Sequence, residues 1–200
     1  MKRKFLELID RKLITHFRDS HVPTHDLCLG TVIGLFWALT PLIGFQMSLV
    51  SITWVFLRFF KIHFNLPVAL ALVWITNPFT MPFFYYTFYL SGYHLFHLLG
   101  MNSEPISFRT FSGVLNKASV MGFTEGFLHW GNYMIFRLGW PMLAGSFFIG
   151  VPLSIISYPF TQRFLIKHRT KLAKKMGLTL EEWEDIYVYK KRKPPRIRVK

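Results

Sequence analysis

Charge is what this sequence has least of. Three stretches, 27–57, 62–103 and 138–162, contain no aspartate, glutamate, lysine or arginine. Charged residues make up 17% of the chain, against about 25% in soluble domains. A soluble core of this size alternates with polar faces, and these runs do not. A bilayer crossing needs about 20 apolar residues. The first two runs are much longer than one crossing requires, and the third matches one.

Cysteine is nearly absent. Cys28 stands alone, which excludes an intrachain disulfide framework, and its place near the start of a helix suits packing. The first 20 residues mix charges and hold no continuous apolar core, so no cleavable signal peptide is read there. The uncharged runs carry no carboxylate pair, and no nucleophile–base spacing or phosphate loop accompanies them. No enzyme activity and no cofactor are expected. Carboxylates or thiolates to complete a metal site with His94 and His97, or with His21 and His25, are not fixed by spacing. No metal is expected either.

What is abundant is positive charge. The net charge is +14, and from Arg163 onward thirteen Lys and Arg face four acidic residues. The positive-inside rule keeps this end in the cytoplasm. Lys2, Arg3, Lys4, Arg11, Lys12 and Arg18 favour the same side for the N-terminus, and Arg58 with Lys61 adds a weaker vote. Beside membrane segments, such a tail serves topology and contact with anionic lipid. No nucleic acid partner is expected.

Along the chain, residues 1–25 read as an amphipathic cytoplasmic helix with Phe5, Leu8, Ile9, Leu13 and Phe17 on one face. Residues 26–165 read as the membrane domain, with an interfacial region at 104–137, where Glu104, Glu125, Arg109 and Arg137 read as solvated. Residues 166–200 read as a basic cytoplasmic tail. In it, Thr179 and Glu182 have capping-box spacing ahead of a short helix through Trp183 and Ile186. In the third run, Ala144, Gly145, Ser146 and Gly150 give a small-residue face for close packing.

The two long runs share a layout: an apolar half, a proline-centred break, an apolar half. Pro41 and Gly44 centre the first break; Asn77, Pro78, Thr80 and Pro82 form the second. Each fits either a re-entrant hairpin or a kinked span. A proline inside a helix removes a hydrogen bond and clashes with the preceding turn. Irregular backbone at membrane depth survives only when sheltered by protein or lining a polar cavity. Thr40, Gln46, Asn77 and Thr80 can supply the missing partners. If the breaks meet, Asn77, Pro78, Thr80, Thr40, Pro41, Gly44 and Gln46 form a polar site at mid-membrane, bounded by half-helix ends that favour an anion or phosphate. The same residues also serve a purely structural role by bonding the broken backbone.

The blocks "LGTVIGLFWALTPLIGFQ" and "NLPVALALVWITNPFT", followed by a Gly-rich final span, resemble the bacterial membrane family catalogued as domain of unknown function 2062. Gly30, Gly34, Pro41, Gly44 and Gln46 carry the resemblance in the first block. Asn65, Pro67, Trp74, Asn77, Pro78 and Thr80 carry it in the second. The resemblance implies a bacterial inner-membrane protein and supplies no reaction. The expectation is thus an all-α, polytopic integral membrane protein with both termini cytoplasmic. Its best functional reading is transport or flipping of a lipid-like or anionic small molecule. The alternative is a non-catalytic scaffold recruiting a cytoplasmic partner through its basic termini. Membrane lipids are the expected partners, and a chain this small fits a homo-oligomer.

Overall fold

The computed structural model describes residues 22–42, 44–77, 79–101, 105–133 and 139–189. Residues 1–21 of the segment read as an amphipathic helix (1–25), Glu104, Arg137, Pro78 and the last residues of the basic tail from 190 on lie outside them. Eight helices follow in order among the described residues, with no strand: α1 Thr24–Ala38, α2 Gln46–Phe59, α3 Leu66–Val73, α4 Met81–Leu98, α5 Phe108–Val120, α6 Phe123–Tyr133, α7 Gly139–Lys175 and α8 Leu180–Tyr187. The fold is all-α, as the sequence reads.

The first uncharged run is a hairpin, so the continuous kinked helix does not form. α1 ends at Ala38, with Leu39 as its C-cap, and Gly44 takes a left-handed φ of 81°, a conformation that costs glycine little. α2 then returns along α1, with the Trp37 indole donating to Thr53 Oγ1 at 3.0 Å. Further along α2 the chain turns again into α3. Asn65 caps α3, its side chain accepting from Val68 N at 3.0 Å while its own N–H donates to Asp26 O at 2.9 Å. Pro67 occupies the first turn, where a missing N–H costs nothing.

α3 runs parallel to α1, and glycine sets their separation. A methyl on Gly34 would stand 2.6 Å from Ala69 Cα and carbonyl, and one on Gly30 would stand 2.6 Å from Asn65 O. This is the close approach that small residues four apart permit. Gly30, Gly34, Asn65 and Pro67 thus have physical reasons within one helix pair.

The second uncharged run does not repeat the hairpin. α3 packs on α1 and α2, whereas α4 packs on α7 and α5. α4 lies antiparallel to the first half of α7: a methyl on Gly145 would collide with Phe88 O, and one on Gly92 with Pro141 O. α1 lies antiparallel to the rest of α7, from Gly150, whose Cβ position is 3.3 Å from Leu39, to Arg169, which bonds Thr24. The shared sequence layout therefore hides two geometries. One run reverses, and the other carries on in its original direction past the break. Pro82 is not a helix interrupter; it sits in the first turn of α4.

α7 has 37 residues and is about 55 Å long. Among the described residues it is the helix whose length and composition suffice to cross a membrane, and most of its apolar part is not buried within the protein. Phe147, Phe148, Ile155, Ile156 and Phe160 face outward from it. Pro152 and Pro159 lie within the helix, and the Ser154 and Ser157 hydroxyls donate to Gly150 O and Ser154 O at 2.6 Å each.

The interfacial region forms α5 and α6. Ser107 caps α5, and Phe111 is fully buried among Tyr85, Phe88, Tyr89 and Met142. Of the aromatic stripe on α4, Tyr85, Phe88 and Tyr89 thus pack inward, while Phe83 is exposed. Cys28 is buried with Leu27, Val68 and Leu165. α8 begins with the capping box of Thr179 and Glu182 and buries Trp183 and Ile186.

Candidate functional site

The two breaks meet. α1 and α3 end side by side and α2 and α4 begin there, so two helix C-termini and two N-termini converge beside Gly150. That glycine lies halfway along the uncharged run 138–162. Helix ends leave carbonyls and N–H groups without intrahelical partners, and the side chains of the breaks supply them.

Gln46 opens α2 and is buried. Its Nε2 donates to Thr40 O at 2.8 Å and Ala38 O at 3.2 Å. The Thr76 hydroxyl, buried at the end of α3, reaches across to donate to Ala38 O at 2.9 Å. Gln46 Oε1 and Val73 O stand at 3.3 Å as its secondary acceptors. Ala38 O therefore receives one donor from each break. The fully buried Tyr85 of α4 brings its hydroxyl against the Gln46 side chain. Thr40 is buried and turns its own hydroxyl to Trp37 O at 2.7 Å. Pro41 is fully buried beside it, and Gly44 is exposed at the turn.

The other half of the expected site closes on itself. Asn77 Oδ1 accepts from Phe79 N at 2.9 Å and Thr80 N at 3.1 Å. The Thr80 hydroxyl accepts from Asn77 N at 3.0 Å and donates to Ile75 O at 2.7 Å. This side-chain turn supplies acceptors for three N–H groups and a donor for one carbonyl of the irregular backbone. Of the seven residues read as the site, Gln46 and Thr40 join the contact between the breaks. Pro41 and Gly44 shape the first turn, Asn77 and Thr80 stabilise the second, and Pro78 lies outside the described residues. Trp74 and Phe79 of the second break point outward.

Thr76 was missed by the sequence reading, although it stands between Trp74 and Asn77 in the second block of the resemblance. A hydroxyl one residue before the asparagine was the available signal. A second group was missed altogether. Arg169 is 1% exposed and pairs with Glu184 Oε1 at 3.0 Å. It also donates to Thr24 Oγ1 at 2.7 Å and Val22 O at 2.6 Å, and lies over the Trp183 ring. Counting basic residues for net charge could not single it out. This cluster ties α8 and the start of α1 to α7. Among the described residues no three His, Cys, Asp or Glu side chains gather as metal ligands.

Comparison with protein families matches residues 9–174 to the family described as an uncharacterized protein conserved in bacteria (DUF2062). The chain belongs to that family. Comparison with curated proteins and with solved structures gives no match.

Proposed function

We propose that this member of the DUF2062 family is a multi-pass protein of the bacterial inner membrane that moves the polar head of a lipid-like or anionic molecule past the junction of its two breaks. In this reading α7 crosses once and α3 with α4 forms a second, broken crossing. The α1–α2 hairpin enters from the cytoplasmic side and turns back at mid-depth, leaving both termini cytoplasmic.

The observation that carries the reading is the contact of Gln46 and Thr76 on Ala38 O, level with Gly150. Polar backbone at that depth is expensive in hydrocarbon. Here it is gathered from two separate segments into one spot between four helix ends. In this reading a passing phosphate or hydroxyl accepts from Gln46 Nε2 and Thr76 Oγ1 in place of the backbone carbonyls. α2 opens at that point, and a helix N-terminus favours an anion.

The test is reconstitution into liposomes with fluorescent phosphatidylglycerol and measurement of its transbilayer movement. The wild-type protein accelerates the movement, and Gln46→Leu with Thr76→Val removes the acceleration while the protein stays folded. Absence of acceleration by folded wild-type protein, across anionic and zwitterionic lipids, rejects the reading.

One observation favours the scaffold alternative: Gln46, Thr76, Asn77 and Thr80 all find partners within the protein, as a structural lock requires. The discriminating variant ends the chain after Tyr189. It removes basic tail while sparing Glu184, so a scaffold loses its partner and a transporter keeps its activity.

A further inference from the structure

Three helices close with the same turn, and α2 alone among them builds it without glycine. At the end of α4, Gly100 N donates to His97 O at 3.1 Å and Met101 N to Phe96 O at 3.0 Å. At the end of α7, Gly177 N donates to Lys174 O at 3.2 Å and Leu178 N to Ala173 O at 2.9 Å. Each puts glycine at the left-handed position, with φ of 78° and 69°. α2 closes with Lys61 N donating to Arg58 O at 3.0 Å and Ile62 N to Leu57 O at 3.1 Å. Here the left-handed residue is Lys61, at φ 58°, the one non-glycine with a positive φ among the described residues. A side chain at this position carries a conformational cost that glycine does not. Outliers of this kind collect at ligand-binding positions.

Lys61 stands among residues that share one chemistry. Arg58 and Lys61 are both exposed, and the Arg58 guanidinium lies over the Trp54 ring, 4.5 Å from its centroid. Between the two cations, Phe59 and Phe60 are 80% and 62% exposed. Among the described residues no carboxylate pairs with either cation, and the sequence has no acidic residue from 27 to 103. Aromatic side chains interleaved with cations suit the layer where hydrocarbon meets phosphate.

We infer that this turn is a lipid tether. Lys61 and Arg58 hold the phosphate region of anionic glycerophospholipids of the cytoplasmic leaflet, Phe59 and Phe60 lodge among the acyl chains, and the tether sets the depth of the junction. The inference rests on the membrane placement proposed above for the α1–α2 hairpin. The lengths agree with it. The 14 residues of α2 rise about 21 Å, and half a bilayer with its headgroups is about 20–22 Å thick. With the turn in the headgroup layer, Gln46 at the other end of α2 therefore lies at the midplane.

The test uses the full chain in nanodiscs of phosphatidylcholine and phosphatidylglycerol, with Cys28→Ala and a fluorophore on His63→Cys, just beyond the turn. The quenchers are the same two lipids carrying a nitroxide near the top of one acyl chain, which leaves their headgroups intact. Phosphatidylglycerol is expected to quench in preference to phosphatidylcholine. Lys61→Gly and Arg58→Gln each lower that preference about fivefold. Lys61→Gly also raises the unfolding temperature in neutral detergent, because glycine relieves the left-handed strain, so its lost preference is not misfolding. A fluorophore on Met47→Cys, exposed beside Gln46, is quenched best by nitroxides at the chain ends, and that depth shifts when both cations are removed. Equal quenching by the two lipids, or an unchanged preference in both variants, overturns the tether. So does a Met47→Cys depth that stays fixed in the double variant. Loss of the preference on adding glycerophosphate at constant ionic strength also overturns it, by assigning the cations to a free anion. Transbilayer movement is read separately. Preference without movement rejects the transport reading alone, and movement without preference rejects the tether alone.

Discussion

Thr76 and Ala38 are 38 positions apart, yet the Thr76 hydroxyl donates to the Ala38 carbonyl at 2.9 Å. This bond joins the end of α3 to the end of α1 and brings the second break onto the first. Thr76→Val keeps the volume and deletes the donor, so it costs about 1–3 kcal/mol, the range for leaving a buried polar group underbonded. Gln46→Leu costs more, because both Ala38 O and Thr40 O lose a donor. The two substitutions share an acceptor and are therefore non-additive. Unfolding in detergent of both single variants and the double variant measures the coupling. Additive effects would separate the two breaks energetically.

The long uncharged runs made the all-α class legible, and the polar residues at the proline breaks made the junction half legible. Gln46 was readable because an amide in an uncharged run needs a partner. Thr76 was not, because its importance comes from α3 lying parallel to α1, a relationship set by Gly30 and Gly34 that no local pattern displays. The equal layouts of the two long runs suggested equal folds. The difference arises downstream: Gly92 and Gly145 draw α4 onto α7, while α2 has Trp37 and Thr53 to hold it against α1. Arg169 was hidden for another reason. Charge counting treats every basic residue in a tail alike, and only packing with Trp183 and Glu184 distinguishes the buried one.

Glu184→Ala leaves the buried guanidinium of Arg169 without its carboxylate. Breaking a buried pair costs about 3–5 kcal/mol, and since the Glu184 side chain is 25% exposed the lower end applies. Arg169→Met on the Glu184→Ala background recovers part of the loss, because no unpaired charge remains. Thermal unfolding of the three proteins checks the order: wild type, then the double variant, then Glu184→Ala. Cutting the chain at Met176 removes Glu184 as well, and therefore destabilises the whole domain rather than simply deleting a tail.

Glycines in this chain divide into those that are crowded and those that are free. Gly92→Ala would drive a methyl into the Pro141 carbonyl, and separating α4 from α7 strips contacts from Tyr85, Phe88 and Met142. Loss of folded protein is the expected result. Gly113 in α5 has nothing within 4 Å of its Cβ position. Gly113→Ala therefore stabilises by about 0.5–1 kcal/mol through helix propensity. Expression yield and unfolding temperature separate the two cases, and a tolerated Gly92→Ala would refute the close contact of α4 with α7.

The proposed arrangement in the membrane fixes which loops face which side. If α1–α2 turns back at mid-depth, His63 after α2 lies on the same side as Asp26 at the start of α1. If α3–α4 then crosses, Met101 beyond α4 lies on the opposite side. Both His63 and Met101 are exposed, so cysteines there react readily, and Cys28→Ala supplies a thiol-free background. In intact spheroplasts, a membrane-impermeant maleimide is expected to label Met101→Cys and to leave His63→Cys unlabelled until the membrane is opened. Labelling of His63→Cys from outside would mean that the first run crosses completely. The junction of Gln46 with Thr76 would then lie away from mid-depth, and the polar waypoint would lose its physical basis.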